Sequence, residues 1–113
     1  MSRRTPKLLL EDILDSGQRI IEYTKDITFE EFQTDNKTID AVIRNYEIIG
    51  EASNLLPDEI KEKYTEVDWT RMRGFRNRIV HDYFGVDLQI IWKITFDQIP
   101  ALISSINSIL TDF

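Results

Sequence analysis

At 113 residues the chain has room for one hydrophobic core and one domain. Hydrophobic residues make up 42% and charged residues 30%, which excludes a disordered segment. The absence of cysteine excludes disulfides, thiolate metal sites and a cysteine nucleophile, while the net charge of −6 argues against a general nucleic-acid coat protein, whose binding depends on neutralising phosphates.

Along the chain, the basic start from Met1 to Lys7 is followed at once by Glu11, Asp12 and Asp15, so no signal-peptide core is expected. No apolar run approaches the roughly 20 residues needed to cross a bilayer. A soluble protein with no membrane partner is expected, and the lack of cysteine fits a cytoplasmic location. No sustained apolar–polar alternation bounded by hairpin turns occurs, and helical spacing recurs instead. The first helix is predicted from about Lys7 to Lys25, with Leu9, Leu10, Ile13, Gly17, Ile20 and Ile21 along one stripe. After a break at Asp26 to Thr28, Thr28-Phe29-Glu30-Glu31 has the form of a capping box opening a short turn.

A second helix should begin near Asp35 to Lys37, with Ile39, Val42, Ile43, Tyr46, Ile49, Ala52 and Leu56 stepping by three and four. Pro57 stops it, because proline lacks the amide donor and clashes with the preceding turn. The stretch from Pro57 to Tyr64 reads as a short helix or turn. Asp68 is placed to cap a third helix from Trp69 to about Phe84, Gly85 to close it, and Asp87 to cap the next. That last apolar stretch contains Pro100, where a kink or restart is expected with Asp97 as local cap. These elements predict an all-α, up-and-down bundle of four to five helices, with residues 1–113 as one domain.

The third helix concentrates the unusual residues. On a wheel of about 100° per residue, Trp69, Met72, Phe75, Ile79, Val80 and Tyr83 share the face that should enter the core. Arg76 falls near the middle of that face, where a guanidinium is costly unless paired, hydrogen-bonded or directed into a cleft. A second, polar stripe runs through Arg73, Asn77 and His81, the only histidine, with Gly74 beside it. Arg71, Arg73, Arg76 and Arg78 lie within eight residues of an otherwise acidic chain. Two readings stand open at this point: a confined phosphate site, or a solvated helix face with carboxylate partners. Gly74 likewise reads either as a point of close helix packing or as clearance for a ligand or second subunit.

The run Arg76-Asn77-Arg78-Ile79-Val80-His81-Asp82-Tyr83 narrows the choice. It resembles the signature of HEPN-domain ribonucleases, an Arg followed after four to six residues by His, with a polar residue directly after the Arg. The longer form Arg-x-x-x-x-His-x-Tyr is similar to the HepT subgroup, also described as DUF86. Arg44-Asn45-Tyr46-Glu47-Ile48-Ile49-Gly50-Glu51-Ala52 and Gly85-Val86-Asp87 share the subgroup's general look, so the similarity extends from about Ile39 to Phe113. The resemblance implies a homodimeric toxin of a toxin–antitoxin pair that cleaves RNA without a metal or other cofactor. In that scheme His81 handles protons during attack by a ribose 2′-hydroxyl, Arg76 stabilises the phosphorane-like transition state, and Asn77 orients groups or substrate. Arg73 and Arg78 would bind the substrate. Tyr83 would be the adenylylation acceptor for a partner nucleotidyltransferase acting as antitoxin.

The residue types suit that chemistry. Histidine titrates near neutrality, and arginine presents a planar fork to phosphate oxygens. No Asp, Glu and His spacing suggests a metal site. Arg76 and His81 nevertheless point about 140° apart on an ideal helix, so a dimeric cleft is the simplest way to bring both to one phosphate. The runner-up function is a non-catalytic helical module that binds a nucleotide or docks a nucleotidyltransferase. A third possibility is a purely structural dimerisation bundle.

Overall fold

A computed structural model of the chain describes residues 4–75 and 87–113. Among them there is no strand, and there are seven helices: α1 (Pro6–Thr24), α2 (Phe29–Thr34), α3 (Asn36–Leu55), α4 (Asp58–Lys63), α5 (Trp69–Phe75), α6 (Leu88–Asp97) and α7 (Ile99–Asp112). The all-helical class is as the sequence predicts. The number exceeds the expected four to five, because the capping box and the stretch after Pro57 each close a complete short helix, and the chain restarts before Pro100.

Local chemistry explains the boundaries. Thr5 accepts from the Leu8 amide at the start of α1, with Pro6 at the first helical position where its missing N–H is harmless. Asp26 takes φ 63° in the turn that follows, a left-handed conformation that aspartate tolerates better than most side chains. Thr28 and Glu31 then exchange both bonds of a capping box, at 3.1 and 2.9 Å. Asp35 caps α3 by accepting from the backbone and hydroxyl of Thr38, and these bonds hold its carboxyl below the ordinary carboxylate range. The expected Asp97 cap is corrected. Asp97 is still the last residue of α6, and Gln98, whose amide closes onto Ile94, stands at the start of α7 without a side-chain cap. Pro100 falls in the first turn of α7, where the unsatisfied amides lie anyway.

Three helices make the main core. α1 packs chiefly on α3 and next on α7, while α3 also carries α5. The amino-terminal half of α1 (Leu9, Asp12) and the carboxy-terminal half of α3 (Glu51, Ala52, Leu55) line one shared groove, so the two helices run antiparallel. Leu10, Ile13 and Ile20 from α1, Val42, Tyr46 and Ile49 from α3, and Ile99, Ile106 and Ile109 from α7 are all removed from solvent. Gly17 explains how closely α7 approaches α1: a Cβ there would stand 3.1 Å from Cγ1 of Ile103. Among the described residues, no helix is long and apolar enough to cross a membrane.

Candidate functional site

Of the residues singled out in the sequence, Arg76, Asn77, Arg78, His81 and Tyr83 lie outside the described residues, as do the predicted helix end at Phe84 and its Gly85 cap. Arg73 and the two flanks of the motif are described, and both flanks are firmly built.

The leading flank is α5. Asp68 accepts from the Arg71 amide at 3.0 Å, the cap the sequence predicts. The indole Nε1 of Trp69 donates to the Tyr64 carbonyl at 2.8 Å inside the core, fixing the entry to the helix. Trp69, Met72 and Phe75 are buried, so the face assigned from the wheel is the face that packs, as far as Phe75. Arg71 and Arg73 are exposed on the opposite side. Arg71 reaches Asp68 at 3.8 Å, a solvent-exposed pair that contributes little. At Gly74, no heavy atom of the described residues lies within 4 Å of the place a Cβ would occupy. The close-packing explanation for this glycine therefore has no partner among the described residues, in contrast to Gly17.

The trailing flank is α6. Asp87 accepts from the Gln89 amide at 2.9 Å and starts the helix as predicted. Ile91 and Thr95 form its buried face. Sequence reasoning passed over Thr95, because a polar residue does not register in an apolar stripe. The signal was nonetheless present, since Ile91, Thr95 and Ile99 follow at intervals of four.

One side chain meets both flanks. The ring of Tyr46 on α3 lies perpendicular to that of Phe75, with centroids 5.1 Å apart. Its hydroxyl is 2.7 Å from Thr95 Oγ1. Thr95 Oγ1 also donates to the Ile91 carbonyl at 2.8 Å, which leaves the Tyr46 hydroxyl as donor in their shared bond. Burial pushes the Tyr46 phenol well above its ordinary pKa, against the smaller opposing effect of Thr95, so it stays protonated.

The surface beside Arg73 is a groove of about 750 Å³ between α4 and α5. Asp58, Glu62, Glu66 and Asp68 outnumber Lys61 and Arg73 along it. A polyanion lying along that groove would meet more carboxylates than cations. Among the described residues, no group of three or more histidine, aspartate or glutamate side chains is placed to hold a metal ion.

A family model described as "Ribonuclease HepT-like" matches residues 13–109, and so spans both flanks and the motif between them. Among curated proteins, the "Probable ribonuclease HepT" of Thermococcus cleftensis is 44% identical over 88% of this chain and 91% of its own length. The "Putative RNase MJ0127" of Methanocaldococcus jannaschii is 41% identical over 99% of this chain and 93% of its own length. The "Putative RNase TTE0752" of Caldanaerobacter subterraneus is 41% identical over 95% of this chain and 96% of its own length. No solved structure matches the chain.

Proposed function

This chain belongs to the ribonuclease HepT-like family, and on that premise we propose that it is a metal-independent endoribonuclease toxin whose active groups are Arg76, Asn77 and His81. The observation that carries the reading is the set Arg76, Asn77, His81 and Tyr83, whole and at the family's spacing, inside a match that covers residues 13–109. The relatives' names as ribonucleases support the same reaction class.

The reaction balances without a cofactor. A base removes the proton of a ribose 2′-hydroxyl, the 2′-oxygen attacks the adjacent phosphorus, and the bond to the 5′-oxygen of the next nucleotide breaks. That leaving oxygen takes up a proton, and the products are a 2′,3′-cyclic phosphate and a free 5′-hydroxyl. Imidazole suits both transfers near neutral pH, a contribution of roughly 10²–10⁴-fold. Each chain has a single histidine, so two copies facing each other provide one base and one acid. The homodimer also overcomes the divergence of about 140° between Arg76 and His81 on one ideal helix. In this scheme Arg76 stabilises charge building on the phosphorane oxygens, Asn77 orients the substrate, and Arg73 and Arg78 hold flanking phosphates. The exposure of Arg73, beside a Gly74 whose Cβ position meets no side chain among the described residues, supports that role for Arg73. A cognate nucleotidyltransferase antitoxin would adenylylate Tyr83, setting a bulky anion next to His81 and blocking RNA entry. The cysteine-free composition supports action in a cytoplasmic setting.

Expression of the chain alone, followed by growth and RNA-cleavage measurements, tests the enzyme. Wild type should cut RNA, and Arg76→Ala and His81→Ala should each lose at least 100-fold. Equal behaviour of all three would leave the alternative, a non-catalytic module for a nucleotide or nucleotidyltransferase, which the net charge of −6 favours. Incubation with a cognate nucleotidyltransferase and ATP should add one adenylyl mass that Tyr83→Phe abolishes.

A further inference from the structure

We infer that Tyr46 is a positioning residue for the motif between Phe75 and Asp87, holding the two flanks at a fixed separation through one buried side chain. The inference rests on the proposed ribonuclease reading only for its kinetic consequence, since the geometry belongs to the described residues.

Tyr46 is fully buried in the middle of α3, the helix that carries α5. Its two ends make contacts of different kinds with segments on either side of the motif. The ring packs edge-on against Phe75, the residue immediately before Arg76. The hydroxyl bonds to Thr95 on α6, the helix that Asp87 opens directly after the motif. A core tyrosine needs a hydroxyl partner wherever it is buried. Here the partner is a side chain 49 residues away, on a helix that packs mainly on α7 and α2. Thr95 is in turn fixed by its bond to Ile91, so rotation of its hydroxyl does not slacken the link. Catalytic groups tolerate errors of only about 0.5 Å before rate falls, and supporting side chains set that tolerance. A phenylalanine at position 46 would fill the same space and lose the link.

The test uses the full chain and three variants: Tyr46→Phe, Thr95→Val, and both together. Cleavage of a short RNA gives kcat and KM, and thermal melting gives stability. The single histidine provides an independent probe, because its imidazole C–H signal in an NMR spectrum reports on the motif alone. Tyr46→Phe retains the aromatic ring, so a change at His81 reflects position and not a lost ring current. The expected result is a kcat lowered about tenfold with KM within twofold, and a displaced His81 signal. The double variant should regain thermal stability, because apolar groups then face each other, without regaining kcat. An unmoved His81 signal in Tyr46→Phe overturns the inference whatever the rate does. A rate that recovers together with stability in the double variant also overturns it, since it marks a merely structural bond. If wild type fails to cut RNA, the ribonuclease reading falls, and the His81 signal still decides the role of Tyr46.

Discussion

Gly74→Ala separates a glycine kept for function from one kept for packing. In a helix interior, glycine is about 1 kcal/mol less favourable than alanine. At Gly74, apart from the backbone of α5 itself, no described atom lies within 4 Å of the new methyl group, so no clash among the described residues offsets that gain. A stabilisation of about 1 kcal/mol corresponds to roughly 4 °C in melting temperature for a domain of this size. Gly17→Ala starts from the same propensity gain but drives its methyl to 3.1 Å from Ile103 Cγ1 and 3.7 Å from Ile99 Cγ2. Ile103 is β-branched and stiff at χ1, so its retreat opposes the gain. Calorimetry of wild type and both variants should place Gly74→Ala above wild type and Gly17→Ala clearly below Gly74→Ala. The more stable Gly74→Ala should also cleave RNA more slowly, because the methyl group occupies surface beside Arg73. A Gly74→Ala protein that melts below wild type, or that gains stability with undiminished cleavage, refutes this reasoning.

Ile13→Ala empties a site with no solvent exposure; urea denaturation should give a loss of about 2–5 kcal/mol with an unchanged m-value. Asp35 has a folded-state pKa below its ordinary value of 3.8, so its cap stabilises α3 above that pH and the contribution disappears as pH falls through the lower value. The gap in melting temperature between wild type and Asp35→Ala should therefore be full at pH 7 and narrow below about pH 4; a gap of constant size from pH 7 to 3 contradicts it. Arg73→Gln should weaken binding of single-stranded RNA about equally for all sequences and lower the slope of log affinity against log salt by about 0.7 per arginine, measured by fluorescence anisotropy.

The sequence was most legible where one local interaction decides the outcome. Thr28 with Glu31, Asp68 and Asp87 are caps whose partner amides lie two or three residues away, and each forms as the pattern predicts; Asp35, read only as marking a helix start, caps it as well. The buried face of α5 was equally legible, because three large residues at helical spacing leave no other choice. Asp97 misled because it has the chemistry of a cap, yet α6 runs on through it and Gln98 stands between the two helices. Tyr46 was recognised as an apolar position, but its partnership with Thr95 spans 49 residues, and no local pattern encodes such a distance. The catalytic assignments rest on the motif's resemblance and spacing, as Arg76, Asn77, Arg78, His81 and Tyr83 lie outside the described residues.

The acidic balance, which at first argues against a nucleic-acid enzyme, is consistent with a confined one. Screening at physiological ionic strength limits each charge to about 8 Å, so an incoming strand responds to local and not to net charge. The groove beside α5 presents Asp58, Glu62, Glu66 and Asp68 together with Lys61 and Arg73. Continuous tracking of a polyanion along such a surface is disfavoured. Four arginines fall within eight residues of the sequence, a local concentration of positive charge on an otherwise acidic chain. An enzyme with one histidine per chain gains more from holding a single linkage in register than from binding long stretches of RNA. On the proposed reading, the acidic body would disfavour unproductive contacts that compete with that arrangement.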